Sequence, residues 1–213
     1  MAKFNYLHIR LLSEEEIMSR PKGQGELTKK KISDHAQKIF EKKGYNSTSI
    51  ADIQNSTGLS KGTIYHHFKN KEDLYLHCIE EASKLMLTKL KNNANDAGTI
   101  KNTLFSLSEI YAQDTQSALT NTLSEFLLTH NNDQFKTNIV NLIEPEIKLI
   151  ESIIKRGVNK NELRKDLDIS ETSFILYSIL TTLGSVNILG YKKDINHLYE
   201  QTMILFLAGI EKK

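Results

Sequence analysis

The chain has 213 residues and little of several residue types, and each shortage excludes something. A single cysteine, Cys78, rules out an intramolecular disulfide framework and leaves Cys-His zinc modules without their thiols. A reducing cytoplasm is the expected compartment. There are two prolines, Pro21 and Pro145, and no stretch of sustained period-two alternation, which argues against β-sheet. No apolar run reaches the roughly 20 residues that cross a bilayer, because even Phe174 to Leu183 is broken by Ser and Thr. Met1 to Ile17 carries Glu14, Glu15 and Glu16 without a small-residue cleavage pattern, so it does not read as a signal peptide. There is no nucleophile elbow, phosphate-binding glycine loop or metal-binding His-Glu helix, so neither enzyme chemistry nor a cofactor is expected. Repeats at solenoid period and low-complexity tracts are also missing.

What is present is an ordinary globular composition, 39% apolar and 25% charged, with a net charge of +2 that hides an asymmetry. Between Arg20 and Lys71 there are eleven Lys or Arg against four acidic residues, a balance of +7 that leaves −5 for the rest. A basic segment on a mildly acidic body points to a polyanion at one end of the molecule.

Helical patterns account for the chain. Ile32, Ala36, Ile39 and Phe40 place one apolar face on a helix from about Thr28 to Lys43, stopped by Gly44. Ser49 with Asp52 three residues on has the form of a capping box for a short helix closed by Gly58. Ser60 caps a third helix through Phe68. Asn70 caps a fourth, from about Lys71 to Lys91, with Leu74, Cys78, Ala82 and Leu85 on one stripe. Further helices are expected at about 99–113, 116–129 and 133–156, with Pro145 starting or kinking one. After a polar connection from Gly157 to Asp168, two helices with wide apolar faces cover about 170–189 and 194–211.

The stretch from Thr48 to Phe68 sets two short helices around a glycine, a helix-turn-helix pattern. Gly58 permits a positive φ, while Ile50, Ile53, Leu59, Ile64 and Phe68 pack the pair against Ile39 and Phe40. The N-terminal half of the third helix is left exposed. Ser60, Lys61, Gly62 and Thr63 can then approach a major groove, with Tyr65 and His66 within reach of phosphates. His66 and His67, adjacent on a helix, point in different directions and do not form a metal site. Cys78 lies on an apolar stripe and reads as a packing residue.

Gly58-Leu59-Ser60-Lys61-Gly62-Thr63-Ile64-Tyr65-His66-His67-Phe68-Lys69-Asn70-Lys71-Glu72-Asp73-Leu74, preceded by Ala36 to Gly44 and Thr48 to Ile53, resembles the DNA-binding domain of the TetR (TetR/AcrR-type) repressor family. The resemblance covers about Lys29 to Ile79. It implies that Thr48 and Ser49 contact backbone phosphates, that Lys61, Gly62 and Thr63 face base edges, and that Tyr65, His66 and Lys71 clamp phosphates. Gln54 and Thr57 depart from the pattern, where alanine is more usual.

The expected protein is all-α. Residues 1–25 form an N-terminal extension, 26–79 a helix-turn-helix domain with its motif at 49–68, and 80–213 an effector-binding and dimerisation domain. About 27 residues precede the first helix, and Met18 is a more typical start, so Met1 to Ile17 is read as a start-site artefact; otherwise Arg20 to Lys31 forms a basic arm. By resemblance the chain is a cytoplasmic transcription regulator, a homodimeric repressor released from DNA by a small-molecule effector that displaces the fourth helix. One recognition helix reads few base pairs, so two copies should bind a near-palindrome with half-sites roughly 34–36 Å apart or at a longer spacing. The dimer interface is expected within 170–211, and no membrane contact is expected. Phe105, Tyr111, Phe126, His130, Phe174, Tyr177 and Asn187 could line an effector pocket, though such residues are more often core. Two other classes remain: a helical adaptor that has lost DNA binding, and a small helical enzyme lacking any recognisable catalytic set.

Overall fold

The computed structural model describes residues 23–94, 98–114, 119–129, 133–184 and 194–212. The expectations about Met1, Met18 and the start of the basic arm lie outside these residues, as do His130 and Asn187. The described elements are helices: α1 (Gln24–Lys43), α2 (Ile50–Thr57), α3 (Lys61–His67), α4 (Lys71–Ala94), α5 (Ile100–Asp114), α6 (Leu119–Thr129), α7 (Asp133–Asn159), α8 (Ile169–Leu183) and α9 (Ile195–Ile210). Among the described residues, no helix is long and apolar enough to cross a membrane.

Local chemistry sets most of the helix starts. Ser49 caps α2 in a reciprocal capping box with Asp52, Ser60 caps α3 through the Thr63 amide, and Asp168 and Asp194 cap α8 and α9. The start of α4 is held by Asn70 Oδ1, which accepts from the Asp73 amide at 2.7 Å. α1 begins four residues before Thr28, because the Gly23 carbonyl accepts from the Leu27 amide at 3.0 Å and so extends the ladder backward. Pro145 does not start a helix. It lies inside α7, which runs on through Gly157 to Asn159. Gly157 is close-packed there: a Cβ on it would lie 2.6 Å from Leu163 Cδ1.

Two apolar clusters share α4. The first gathers Ile32, Ala36 and Phe40 of α1, Ile53, Ile64, Phe68, and Leu74, Tyr75 and Cys78 of α4, and continues into Phe126 and Phe135. Truncating a member as buried as Phe40 to alanine should cost about 3–5 kcal/mol. The second gathers Met86 and Leu90 of α4 with Leu104, Leu107, Ile150, Ile153, Leu176, Leu180, Met203 and Leu207. The buried stripe of α4 therefore passes through Met86, not Leu85, which is 59% exposed. Steps of four from Leu74 through Cys78 and Ala82 arrive at residue 86, and Leu85 points to the other side. Arg156 of α7 donates to the Ala94 carbonyl at the end of α4 (3.0 Å), placing a cation where the helix dipole favours one. Glu162 accepts from the Ile100 amide at the start of α5 (2.7 Å).

Candidate nucleic-acid interface and interior cavity

The helix-turn-helix is fixed from within. Gly58 adopts φ 70° and ψ 12°, and its amide donates to the Gln54 carbonyl at 2.8 Å. Thr57, one of the two departures from the usual pattern, is buried and stitches this turn. Its hydroxyl donates to the Ile53 carbonyl (2.7 Å) and accepts from the Leu59 amide (3.3 Å). Gln54 is half-buried. Lys43 bridges α1 to α2 through Asp52 at 2.6 Å. That contact, followed by hydrogen bonds from the Ser49 hydroxyl and amide, holds the Asp52 carboxyl well below the usual carboxylate range.

Ile64 and Phe68 anchor α3 in the core, and its opposite side faces outward. Ser60, Lys61, Gly62 and His66 are exposed, Thr63 is half-buried, and Tyr65 is 42% exposed. The Ser60 and Thr63 hydroxyls lie 2.9 Å apart, so each is oriented by the other. Lys61 Nζ sits 5.7 Å from the centroid of the Tyr65 ring. A Cβ on Gly62 would meet only Ser60 Oγ, at 3.7 Å, so nothing inside the fold demands glycine there. Ser49 is exposed at the start of α2. Among the described residues there is no group of His, Cys, Asp or Glu able to hold a metal.

Two expected phosphate contacts are placed differently. Thr48 is 2% exposed, and its hydroxyl donates to the Gly44 carbonyl at 2.7 Å, closing the α1–α2 turn. Lys71 is turned inward. Its ammonium donates to the Tyr45 carbonyl (2.8 Å) and the Thr48 carbonyl (2.9 Å) and lies 4.1 Å from the Tyr45 ring centroid. Burial lowers its pKa, with Glu125 acting the other way. The Tyr45 carbonyl also accepts from the Thr48 amide within the turn (3.3 Å), so Lys71 adds a second donor there and ties in the Thr48 carbonyl, and sequence position alone did not reveal that Lys71 reaches them.

α6 braces the same turn from the other side. Glu125 accepts from the Asn46 amide at 3.1 Å, the Thr122 and Tyr75 hydroxyls lie 2.8 Å apart, and the Phe126 ring packs edge-on to Tyr45 at 4.5 Å. Cys78 is buried, and desolvation, helped by nearby acidic residues, pushes its thiol up to about 12, as suits a packing residue.

The body holds a partly open cavity of about 120 Å³ walled by α4, α5, α7 and α8, with α6 and α9 at its margins. Of the aromatic candidates, Tyr111 and Tyr177 line it. Phe126 is buried in the first cluster, Phe105 packs at the edge of the second, and Phe174 is 56% exposed on the outer side of α8. The sequence reading missed Glu146 of α7, which lines the cavity at 6% exposure and accepts from Tyr111 Oη (2.8 Å) and Ser83 Oγ (3.4 Å). A signal for it existed: residue 146 interrupts the buried apolar stripe that carries Phe135, Ile139, Ile150 and Ile153.

The sequence profile of bacterial regulatory proteins of the tetR family matches residues 32–78. The chain is 22% identical over 190 residues to the fatty acid metabolism regulator protein of Bacillus subtilis, covering 85% of this chain and 95% of that one. It is 27% identical over 199 residues to the transcriptional regulator QacR of Staphylococcus aureus, covering 86% and 98%. The crystal structure of the regulator FadR of Bacillus subtilis in complex with stearoyl-CoA superposes with a TM-score of 0.75 at 20% identity, over 85% of this chain and 99% of that one.

Proposed function

Since the chain belongs to the tetR family of bacterial regulatory proteins, we propose that α3 reads an operator in the major groove and that effector binding in the body ends this contact. It is a sequence-specific DNA-binding transcription regulator, a homodimeric repressor released by a small molecule. Residues 26–79 are taken as the DNA-binding domain and 80–213 as the effector-binding and dimerisation domain. The observation that carries the reading is α3 itself: its apolar side is locked in the core while Lys61, Gly62, Tyr65 and His66 stand outward. Ser60, Lys61, Gly62 and Thr63 are assigned to the groove, and Ser49, Tyr65 and His66 to phosphates. Thr48 and Lys71 are assigned to holding the turn that presents them.

Dimerisation is assigned to the outer sides of α8 and α9, where Phe174, Ile175, Ile179, Ile204 and Leu205 are exposed beside a buried row of Leu176, Leu180, Met203 and Leu207. Two copies then present two α3 helices to a near-palindrome in the cytoplasm. Coupling follows from α4, whose Leu74, Tyr75 and Cys78 belong to the DNA-binding core while its Ala82, Ser83 and Met86 line the cavity. A ligand that favours a displaced α4 shifts the spacing of the two α3 helices, provided it binds the DNA-incompetent state more tightly. The relatives are transcriptional regulators, and no enzymatic step is assigned to this chain.

The test is fluorescence anisotropy of labelled DNA from the region upstream of the gene, over a salt series, beside a scrambled duplex and a Lys61→Ala/Tyr65→Ala variant. Selective binding lost in the variant is the expected result. Equal, salt-labile binding to both duplexes would reduce the interface to phosphate attraction and sink the operator reading.

A further inference from the structure

The interior cavity says what kind of molecule enters it. Glu146 is buried in its wall, and the donors that reach it are neutral hydroxyls: Tyr111 at 2.8 Å and, more weakly, Ser83 at 3.4 Å. Among the described residues, no Lys, Arg or His lines the cavity. A second carboxylate, Asp114, also lines it, and its own partner Lys89 lies on the outside at 3.3 Å. The remaining wall is aliphatic apart from the rings of Tyr111, Tyr177 and Tyr199, a few hydroxyls and the Gly184 backbone. A buried carboxylate to which no described lining residue brings a counter-charge is costly, and a cation small and apolar enough to leave water would offset that cost.

We propose that the effector is a lipophilic monocation, an amine or quaternary ammonium, whose charged nitrogen lies against Glu146 among the tyrosine rings while its apolar part packs on Met86 and Leu142. The proposal rests on the effector-released reading above and names the ligand class for that same cavity. Tyrosine faces stabilise such a nitrogen through their quadrupole, most strongly when desolvated. An anionic effector would meet the Glu146 carboxylate with no cation among the described lining residues to receive it.

The site also responds to pH. Burial pushes the Glu146 carboxyl up to about 7, with Asp114 adding to the rise and the Tyr111 and Ser83 hydroxyls opposing it. The groups facing it are Tyr111 and Asp114 from α5, Ser83 from α4, Tyr177 from α8 and Tyr199 from α9. The three tyrosines are held above their ordinary value, chiefly by burial, so they stay neutral in this range. A proton and the cation therefore compete for Glu146, and cation affinity falls as pH drops from 8 to 6.

The test is titration calorimetry on the full chain and on Glu146→Gln with three probes: benzyltrimethylammonium, its uncharged carbon isostere neopentylbenzene, and stearoyl-CoA. The wild type should bind the cation at least about tenfold more tightly than the isostere. Glu146→Gln should lose about tenfold or more for the cation and none for the isostere. Equal affinities for cation and isostere in the wild type, no cation binding, or cation affinity unchanged in the variant each overturn the proposal, as does stearoyl-CoA binding where the cation does not. If the variant fails to fold, the wild-type comparison at pH 8 and pH 6 decides alone. Operator anisotropy on the same samples separates the two ideas: DNA bound with cations ignored defeats this inference only, whereas no operator binding defeats the regulatory reading.

Discussion

Replacing Gly62 by alanine separates what the fold needs from what DNA needs. In the free protein the added methyl meets only Ser60 Oγ at 3.7 Å, ordinary contact, and the residue is exposed on a helix. Alanine removes backbone freedom from the unfolded chain and suits a helix better, so folding should gain roughly 0.5 kcal/mol. For a chain of this size that raises Tm by about 1–2 °C. Against a groove, the same methyl intrudes on a close approach. At about 1 kcal/mol or more for each half-site, a dimer loses about 2 kcal/mol, roughly a 30-fold weaker operator Kd. Scanning calorimetry and operator anisotropy read the two effects on one preparation. Stability held or raised with binding weakened is the expected pair. A Gly62→Ala variant that binds the operator like the wild type would refute the argument that α3 needs a bare backbone at this position.

The remaining predictions concern the turn, the cavity and the outer face. Lys71→Met removes the donor to the Tyr45 and Thr48 carbonyls and should cost about 2 kcal/mol, or about 4–8 °C in Tm. As Lys71 holds the turn, the slope of log K against log salt should stay the same in this variant; a slope reduced by about one would restore it to the phosphates. Glu146 has a folded pKa raised above its unfolded value, so it costs no stability below about pH 4.5, and the cost grows as pH rises to about 7, reaching about 3 kcal/mol. Glu146→Gln should accordingly be more stable than the wild type at pH 8 and no more stable at pH 4; denaturant melts giving the same difference at both values would count against a buried, uncompensated carboxylate. Leu205→Glu places a charge on a side chain that is 74% exposed in the single chain, so the monomer should fold normally. Sedimentation should show the dimer lost and operator affinity reduced with it, and an intact dimer would move the interface elsewhere.

Much of the head could be read without coordinates, because its signals are local. Ser49 and Asp52 are three residues apart and Gly58 follows at the turn, so the capping box and the positive φ are properties of a short peptide that the fold only had to leave in place. The apolar side of α3 follows from the spacing of Ile64 and Phe68, and the polar side is its remainder. Lys71 was misplaced because its partners are carbonyls 23 and 26 residues earlier, and a residue's position in a motif does not say which way a long side chain turns. Leu85 was misplaced by a single helical position, enough to move it from the seam to solvent.

The body divides along the same line. Its sequence determined all-helical structure and two terminal helices with more apolar surface than one core can take, since both follow from composition and period within each helix. It also held a carboxylate on an apolar stripe. Only the tertiary structure decided that Glu146 ends at a cavity wall beside Tyr111 and Ser83, that α4 is shared by both clusters, and that α6 braces the turn behind α2. A pattern within one helix fixes which side is buried. Which other helices meet it there depends on chain segments from 35 to 79 residues away, and their packing has no local signature.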